Sequence, residues 1–87
     1  MRRPYRNSAL SERDRQVIEI ERRWGPGPAA LPMKLDEASQ RLGMDARSYT
    51  LVLNSLIDDP SAHALDPLTM AGLRHIRDMH RDARGAS

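Results

Sequence analysis

The sequence predicts an all-α fold, a small bundle of three to four helices with a helix-turn-helix-like centre. Apolar residues recur at steps of three and four through several segments, which is the period of an amphipathic helix. Glycines, prolines and capping residues lie between these segments, where helices end and begin. At 87 residues the chain is long enough for one domain with a small core.

The first helix is predicted over residues 10–24. Its apolar face is formed by Leu10, Val17, Ile20 and Trp24. Ser11 followed by Asp14 has the spacing of a capping box at the start of this helix. The remaining face alternates arginine with acid, which is typical of a solvated surface. We interpret Trp24, the single tryptophan, as a core anchor, because large aromatic side chains dominate small cores.

Residues 25–32, GPGPAALP, are predicted to form a loop. The central segment that follows, residues 35–57, has the pattern of two helices around a tight turn. Gly43 ends the first helix, because glycine accepts the left-handed conformation common at helix C-termini. Asp45 can cap the second. Ala38, Tyr49 and Val52 have the spacing from the glycine at which a helix-turn-helix buries side chains, although a purely structural hairpin has the same pattern.

The opposite face of the second central helix is predicted to present Arg47, Ser48, Thr50, Leu51 and Asn54. Arginine and asparagine can hydrogen-bond guanine and adenine edges, and serine or threonine can bind phosphate. Leu51 fits either a thymine methyl group or a protein partner. This helix is therefore the predicted base-reading element.

The last helix is predicted from Pro67 to about Arg81, because Asp66 and Pro67 form a strong helix start. A short additional turn is expected near residue 62, with Asp59 or Ser61 as its cap. The apolar face of the last helix is formed by Met70, Leu73, Ile76 and Met79. Four methionines are interpreted as filler in a small core, namely Met33, Met44, Met70 and Met79.

Charge is distributed unevenly along a chain whose formal net charge is +2. Residues 1–8 are predicted to be a flexible basic arm, residues 9–82 a single helical domain, and residues 83–87 a disordered tail. Residues 34–59 carry three basic and five acidic side chains, so the central helical pair is slightly acidic. Because phosphate contacts supply most electrostatic affinity for DNA, the basic ends are the predicted backbone contacts. These are Arg2, Arg3, Arg6, Arg74, Arg77 and Arg81.

Several function classes are disfavoured by the composition. The chain has no cysteine, and His75 and His80 are not spaced to share one helix face, so no metal or cofactor is expected. No acid, base or nucleophile falls in a catalytic motif, which indicates that the protein is not an enzyme. The N-terminal residues lack the apolar run of a signal peptide and no stretch approaches the length of a membrane span, so a cytoplasmic location is the expectation.

LSERDR with ERRW, then SYTLVLNSLIDDP and a further DP before an arginine-rich helix, resemble a family of small actinobacterial proteins of unknown function. The family also occurs in actinobacterial phages, and the similarity covers roughly residues 10–77. Its members usually show a doubled Trp and a Tyr-Tyr pair where this chain reads Trp24-Gly25 and Ser48-Tyr49. The resemblance implies an all-helical, DNA-binding-like fold.

Two functions are compatible with these patterns. The first is a small DNA-binding transcriptional regulator that binds double-stranded DNA, as a homodimer or beside a protein partner, since one short helix makes a small interface. The second is a helical interaction module that binds a component of the transcription machinery or a host protein through the acidic hairpin and Leu51.

Overall fold

A computed structural model describes the backbone of residues 10–86 and the side chains as far as Arg81. Within this part of the chain there are five α-helices, one short 3-10 turn and no strand. The predicted all-α fold is therefore confirmed. The elements are α1 Glu12–Trp24, the 3-10 turn Pro28–Ala30, α2 Leu31–Leu42, α3 Ala46–Ile57, α4 Pro60–Leu65 and α5 Pro67–Ala86.

The predicted capping box begins α1. Ser11 Oγ accepts a hydrogen bond from the Asp14 N–H at 3.0 Å, and the Ser11 N–H donates to Asp14 Oδ2 at 3.3 Å. Two backbone donors at the helix start are thereby satisfied. Leu10, predicted as the first helical residue, precedes the cap and packs partly buried against the core. Gly25 ends the helix with a φ of 84°, a conformation that side chains rarely adopt.

The loop after α1 is shorter than predicted. The sequence pattern assigns residues 25–32 to a loop, whereas the 3-10 turn runs directly into α2 at Leu31. Pro32 is compatible with this start, because the first helical turn has no internal partner for the N–H that proline lacks. The loop prediction for residues 25–32 was wrong at its end, because Pro28 begins a 3-10 turn and Pro32 lies in the first turn of α2.

Caps confirm the later helix starts. Asp45 Oδ1 accepts from the Ser48 N–H at 2.8 Å, and Asp59 Oδ1 accepts from the Ser61 N–H at 2.8 Å. The second of these begins α4, the extra turn expected near residue 62. Asp66 likewise accepts from the Thr69 N–H at 3.2 Å. Helix α5 continues to Ala86, past the predicted end near Arg81, since no proline interrupts it.

The core is formed by apolar side chains from all five helices and from the turn between Leu42 and Ala46. Its members are Val17, Ile18, Ile20, Ala38, Met44, Tyr49, Leu56, Ile57, Ala62, Met70 and Leu73. Met44 and Met70 confirm the methionines' predicted role as filler. Met33 and Met79 contradict it, because about half of each side chain is exposed. Both occupy faces of α2 and α5 that no other helix covers.

Trp24 is not the core anchor that its size suggests. It lies at the last position of α1 and is 40% exposed. Its indole N–H donates to Glu37 Oε1 on α2 at 2.8 Å, so the ring lies at the surface where the two helices meet. The largest fully buried side chain is Tyr49 instead.

Candidate nucleic-acid interface

A buried polar cluster fixes the orientation of α3. Glu21 of α1 accepts from Lys34 Nζ of α2 at 2.8 Å and from the Tyr49 hydroxyl of α3 at 2.6 Å. Lys34 Nζ also donates to the Gly25 carbonyl at 3.0 Å. All three residues are at most 3% exposed. Three helices therefore meet at one carboxylate, and the rotation of α3 about its axis is determined by Tyr49.

The burial of this cluster corrects the interpretation of α1. The face that carries Glu21 was predicted to be a solvated alternation of charges. Glu21 is instead 1% exposed, because α2 and α3 both cover it. Burial, followed by the hydrogen bond to Glu21, raises the pKa of Tyr49 far above its ordinary value, so the hydroxyl remains a donor.

The turn between α2 and α3 has the predicted geometry. It comprises Gly43, Met44 and Asp45, and Gly43 adopts the left-handed conformation with a φ of 67°. The Gly43 N–H donates to the Ser39 carbonyl at 3.1 Å and the Met44 N–H to the Ala38 carbonyl at 3.3 Å. Two carbonyls near the end of α2 thereby accept hydrogen bonds from the turn, and the chain reverses into α3 in three residues.

The helical pair buries the side that the sequence predicted. Ala38, Met44 and Tyr49 are buried, and Val52 is partly buried against the core. The face of α3 that points away from the core carries Arg47, Ser48, Thr50, Leu51 and Asn54, all exposed. The predicted base-reading residues therefore share one uncovered surface, which we call the α3 face.

The polar residues of the α3 face differ in their hydrogen-bond partners. The Ser48 N–H donates to the Asp45 carboxylate at 2.8 Å, as part of the helix cap, so Ser48 lies beside a carboxylate. For Arg47, Thr50 and Asn54, the described residues supply no side-chain partner. All three residues are exposed, so they are accessible to an external ligand. Leu51 is 61% exposed in the middle of this face.

A groove joins the end of the α3 face to α5. It has a volume of about 420 Å³ and is lined by Asn54, Asp58, Arg77, His80 and Arg81. Arg74, Arg77 and Arg81 follow one another at steps of three and four, so they lie along one side of α5. The structure thus brings the predicted backbone-contact residues Arg77 and Arg81 beside the predicted base-reading residue Asn54.

Two of the three arginines on this side of α5 donate hydrogen bonds within the protein. Arg77 Nη1 donates to Asp58 Oδ1 at 2.9 Å and to Oδ2 at 3.0 Å. Arg74 Nη2 approaches the Ile57 carbonyl at 3.4 Å, and Arg81 is exposed. Arg2, Arg3 and Arg6, the other predicted backbone contacts, lie outside the described residues.

A second surface cluster was not predicted by the sequence pattern. Glu37 of α2 accepts hydrogen bonds from the Trp24 indole, from Arg41 Nη1 at 2.5 Å and from Arg23. These bonds, the Trp24 bond first, hold the pKa of Glu37 at about 2, below its ordinary 4.5. The only local signal is the four-residue step from Glu37 to Arg41; Trp24 is thirteen residues away in the chain.

Two kinds of feature are absent from the described residues. No group of three or more His, Cys, Asp or Glu side chains among them is arranged to hold a metal ion. None of the helices in this part of the chain is long and apolar enough to cross a membrane.

The fold and the site define a small all-α protein whose central helical pair leaves a polar face uncovered. The chain belongs to the family described as Protein of unknown function (DUF3263), whose model matches residues 9–85. The predicted membership in a helical family of unknown function is thereby confirmed. No curated protein and no solved structure matches the chain.

Proposed function

We propose that the protein is a small DNA-binding transcriptional regulator in which α2, the three-residue turn and α3 act as a helix-turn-helix. The observation that carries the proposal is the orientation of α3. Its inner side is tied to the core through Tyr49, and its outer side presents Arg47, Thr50 and Asn54 without internal side-chain partners among the described residues. A helix presented in this way can enter the major groove, which is about 12 Å wide.

The proposed roles follow from the chemistry of each side chain. Arg47 reads a guanine edge and Asn54 an adenine edge, while Ser48 and Thr50 contact bases or phosphates. The electrostatic affinity for DNA comes from residues outside the slightly acidic central segment, residues 34–59. It is supplied by the arginines of α5 and of the N-terminal segment, namely Arg74, Arg77, Arg81, Arg2, Arg3 and Arg6.

A dimer suits this mode of binding. One α3 helix covers a small interface, so two copies on half-sites about one helical turn apart, roughly 34 Å, would raise affinity and specificity together. A second DNA-bound protein beside a single copy would have the same effect.

The experiment is a gel shift of the full chain against genomic fragments at two salt concentrations. With roughly four phosphate contacts, affinity should fall about a hundredfold between ~50 and ~200 mM salt. Absence of any binding at the lower salt concentration would overturn the proposal.

A second candidate is a helical interaction module, and the exposure of Leu51 favours it. Leu51 lines a groove of about 230 Å³ between α3 and the start of α1. The other lining residues are the apolar Val52 and Leu56, the acidic Asp14 and Asp59, and Arg13 and Ser55. This surface suits a basic, apolar helix from a component of the transcription machinery or a host protein. Binding to such a protein that survives high salt and is lost in Leu51→Ala would favour this function over DNA binding.

A further inference from the structure

Asp58 is an anion held at the end of α3 by arginines of α5. The hydrogen bond from Arg77, then the charges of Arg77, Arg74 and Arg81, hold the pKa of Asp58 below its ordinary value. Asp58 is also the C-cap of α3, where the helix dipole disfavours a carboxylate. The arginines of α5 thus favour negative charge at the position of Asp58.

The groove around Asp58 has the donors of an anion site. Arg77, His80 and Arg81 come from α5, and the Asn54 amide comes from α3. Asp58 accepts hydrogen bonds only from Nη1 of Arg77, and the buried Nε of Arg77 has no hydrogen-bond partner within the described residues. That Nε lies 3.5 Å from Asp78 Oδ1, as an ion pair. The buried Nε cannot reach an external ligand, whereas Nη2 of Arg77 makes no hydrogen bond within the described residues and can donate to a second anionic oxygen.

Asp58 can leave its position at low cost. Its side chain is 64% exposed, whereas that of Arg77 is 25% exposed. An exposed ion pair of this kind contributes little net stability, because water solvates both charges when they separate. The arginine is therefore the fixed partner of the pair, and the carboxylate is the partner that can rotate into solvent.

We propose that this groove is a phosphate site in which Asp58 is an internal competitor, displaced from Arg77 when a phosphate oxygen binds. Arg81, His80 and Asn54 surround the bound oxygen atoms. In the DNA complex, which rests on the proposed function, the ligand is a backbone phosphodiester. Asp58 follows Arg47 by eleven residues, about 16 Å along the axis of α3, so a helix that crosses the major groove brings the site to a flanking strand.

The test on DNA uses Asp58→Asn, which removes the competing charge and keeps the shape of the side chain. Affinity for DNA should rise about twofold to fivefold, the range that an exposed ion pair is worth. In an Arg77→Gln background the same substitution should give no gain. Asp36→Asn on the exposed side of α2 changes net charge equally and is the matched control. Equal gains in Asp58→Asn, Asp36→Asn and the Arg77→Gln background would overturn the competitor role.

A second measurement does not need DNA. Inorganic phosphate is added to the wild type and to Asp58→Asn while NMR follows the Arg77 Nε–H, the Asn54 side-chain amide and the His80 ring. Saturable shifts that are tighter in Asp58→Asn support the site even if neither protein binds DNA, in which case only the proposed function fails. DNA binding that is indifferent to Asp58→Asn, together with no phosphate shifts, would overturn the site and leave the proposed function standing.

Discussion

The hydroxyl of Tyr49 donates a hydrogen bond of 2.6 Å to Oε2 of Glu21, and this bond links α3 to α1 through the interior. Because both side chains are buried, water does not replace the bond when it is lost. Tyr49→Phe should lower the free energy of unfolding by about 1–3 kcal/mol, measured by urea unfolding followed by far-UV circular dichroism. Thr50→Val, on the exposed side of the same helix, should change it by less than about 0.5 kcal/mol. Equal losses in the two variants would contradict the role of the bond.

Lys34 compensates the buried charge of Glu21, with a distance of 2.8 Å between Nζ and Oε1. Lys34→Met leaves that charge unpaired and should cost about 3–5 kcal/mol of unfolding free energy. Adding Glu21→Gln removes the charge, while the amide oxygen can still accept from Tyr49. The double variant should therefore be more stable than Lys34→Met alone. A double variant destabilised by the sum of the two single losses would show that the charges do not interact.

Gly43 provides the left-handed residue of the turn, with a φ of 67°. An added Cβ meets no atom within 4 Å, so the cost of Gly43→Ala comes from the backbone conformation alone. We expect a loss of about 1–2 kcal/mol in unfolding free energy. Gly27 also faces open space but has a φ of −67°, so Gly27→Ala should be neutral or slightly stabilising. Thermal unfolding of both variants measures the two losses of stability. A loss in Gly43→Ala alone indicates a cost of the backbone conformation, and equal losses would contradict it.

Glu37 makes stability depend on pH. Its folded-state pKa of about 2 lies below the ordinary 4.5, so the charged form contributes stability that is complete above about pH 4.5. That contribution is lost as pH falls towards 2. The stability difference between wild type and Glu37→Gln should therefore be largest above pH 4.5 and shrink through this window in urea unfolding at successive pH values. Asp36→Asn, on an exposed position of α2, is the control and should show a smaller change. A constant difference between wild type and Glu37→Gln would contradict the assignment.

Arg47 and Asn54 should determine sequence preference if α3 reads bases. Arg47→Ala and Asn54→Ala should each reduce discrimination between a bound site and its single-base variants by about 1–3 kcal/mol. Arg81→Ala should instead weaken binding to all sequences equally and lower the salt slope by about one. Competition binding with a panel of mutated sites measures both effects. Unchanged discrimination in Arg47→Ala and Asn54→Ala would remove α3 from the reading role.

Local chemistry accounts for the parts of the fold that the sequence predicted. Ser11, Asp45 and Asp59 cap helices through bonds to amides two or three residues away, and Gly43 acts through its own backbone. Such features can be predicted from a few neighbouring residues of the sequence. The inward direction of Tyr49 was predictable for the same reason, from the period of α3 alone.

Contacts between distant segments account for what was not predicted. Glu21 lies four residues after Val17 and three after Ile18, so the period of α1 was a local signal that it faces the core. Its partner Tyr49 is 28 residues away, and no feature of α1 predicts that contact. Asp58 meets Arg77 across 19 residues, and that pairing depends on how α5 packs back against α3. Periodicity shows which side of a helix is apolar but not which other helix covers its polar neighbours.

Trp24 has a practical consequence of its position at the surface where α1 meets α2. It is the single tryptophan, and its indole is tied to Glu37 rather than enclosed in the interior. Its fluorescence therefore reports on the junction of these two helices more than on global unfolding. Protonation of Glu37 at low pH should alter the emission of Trp24 before the helices unfold. The α1–α2 junction can therefore be monitored by fluorescence without an added fluorophore.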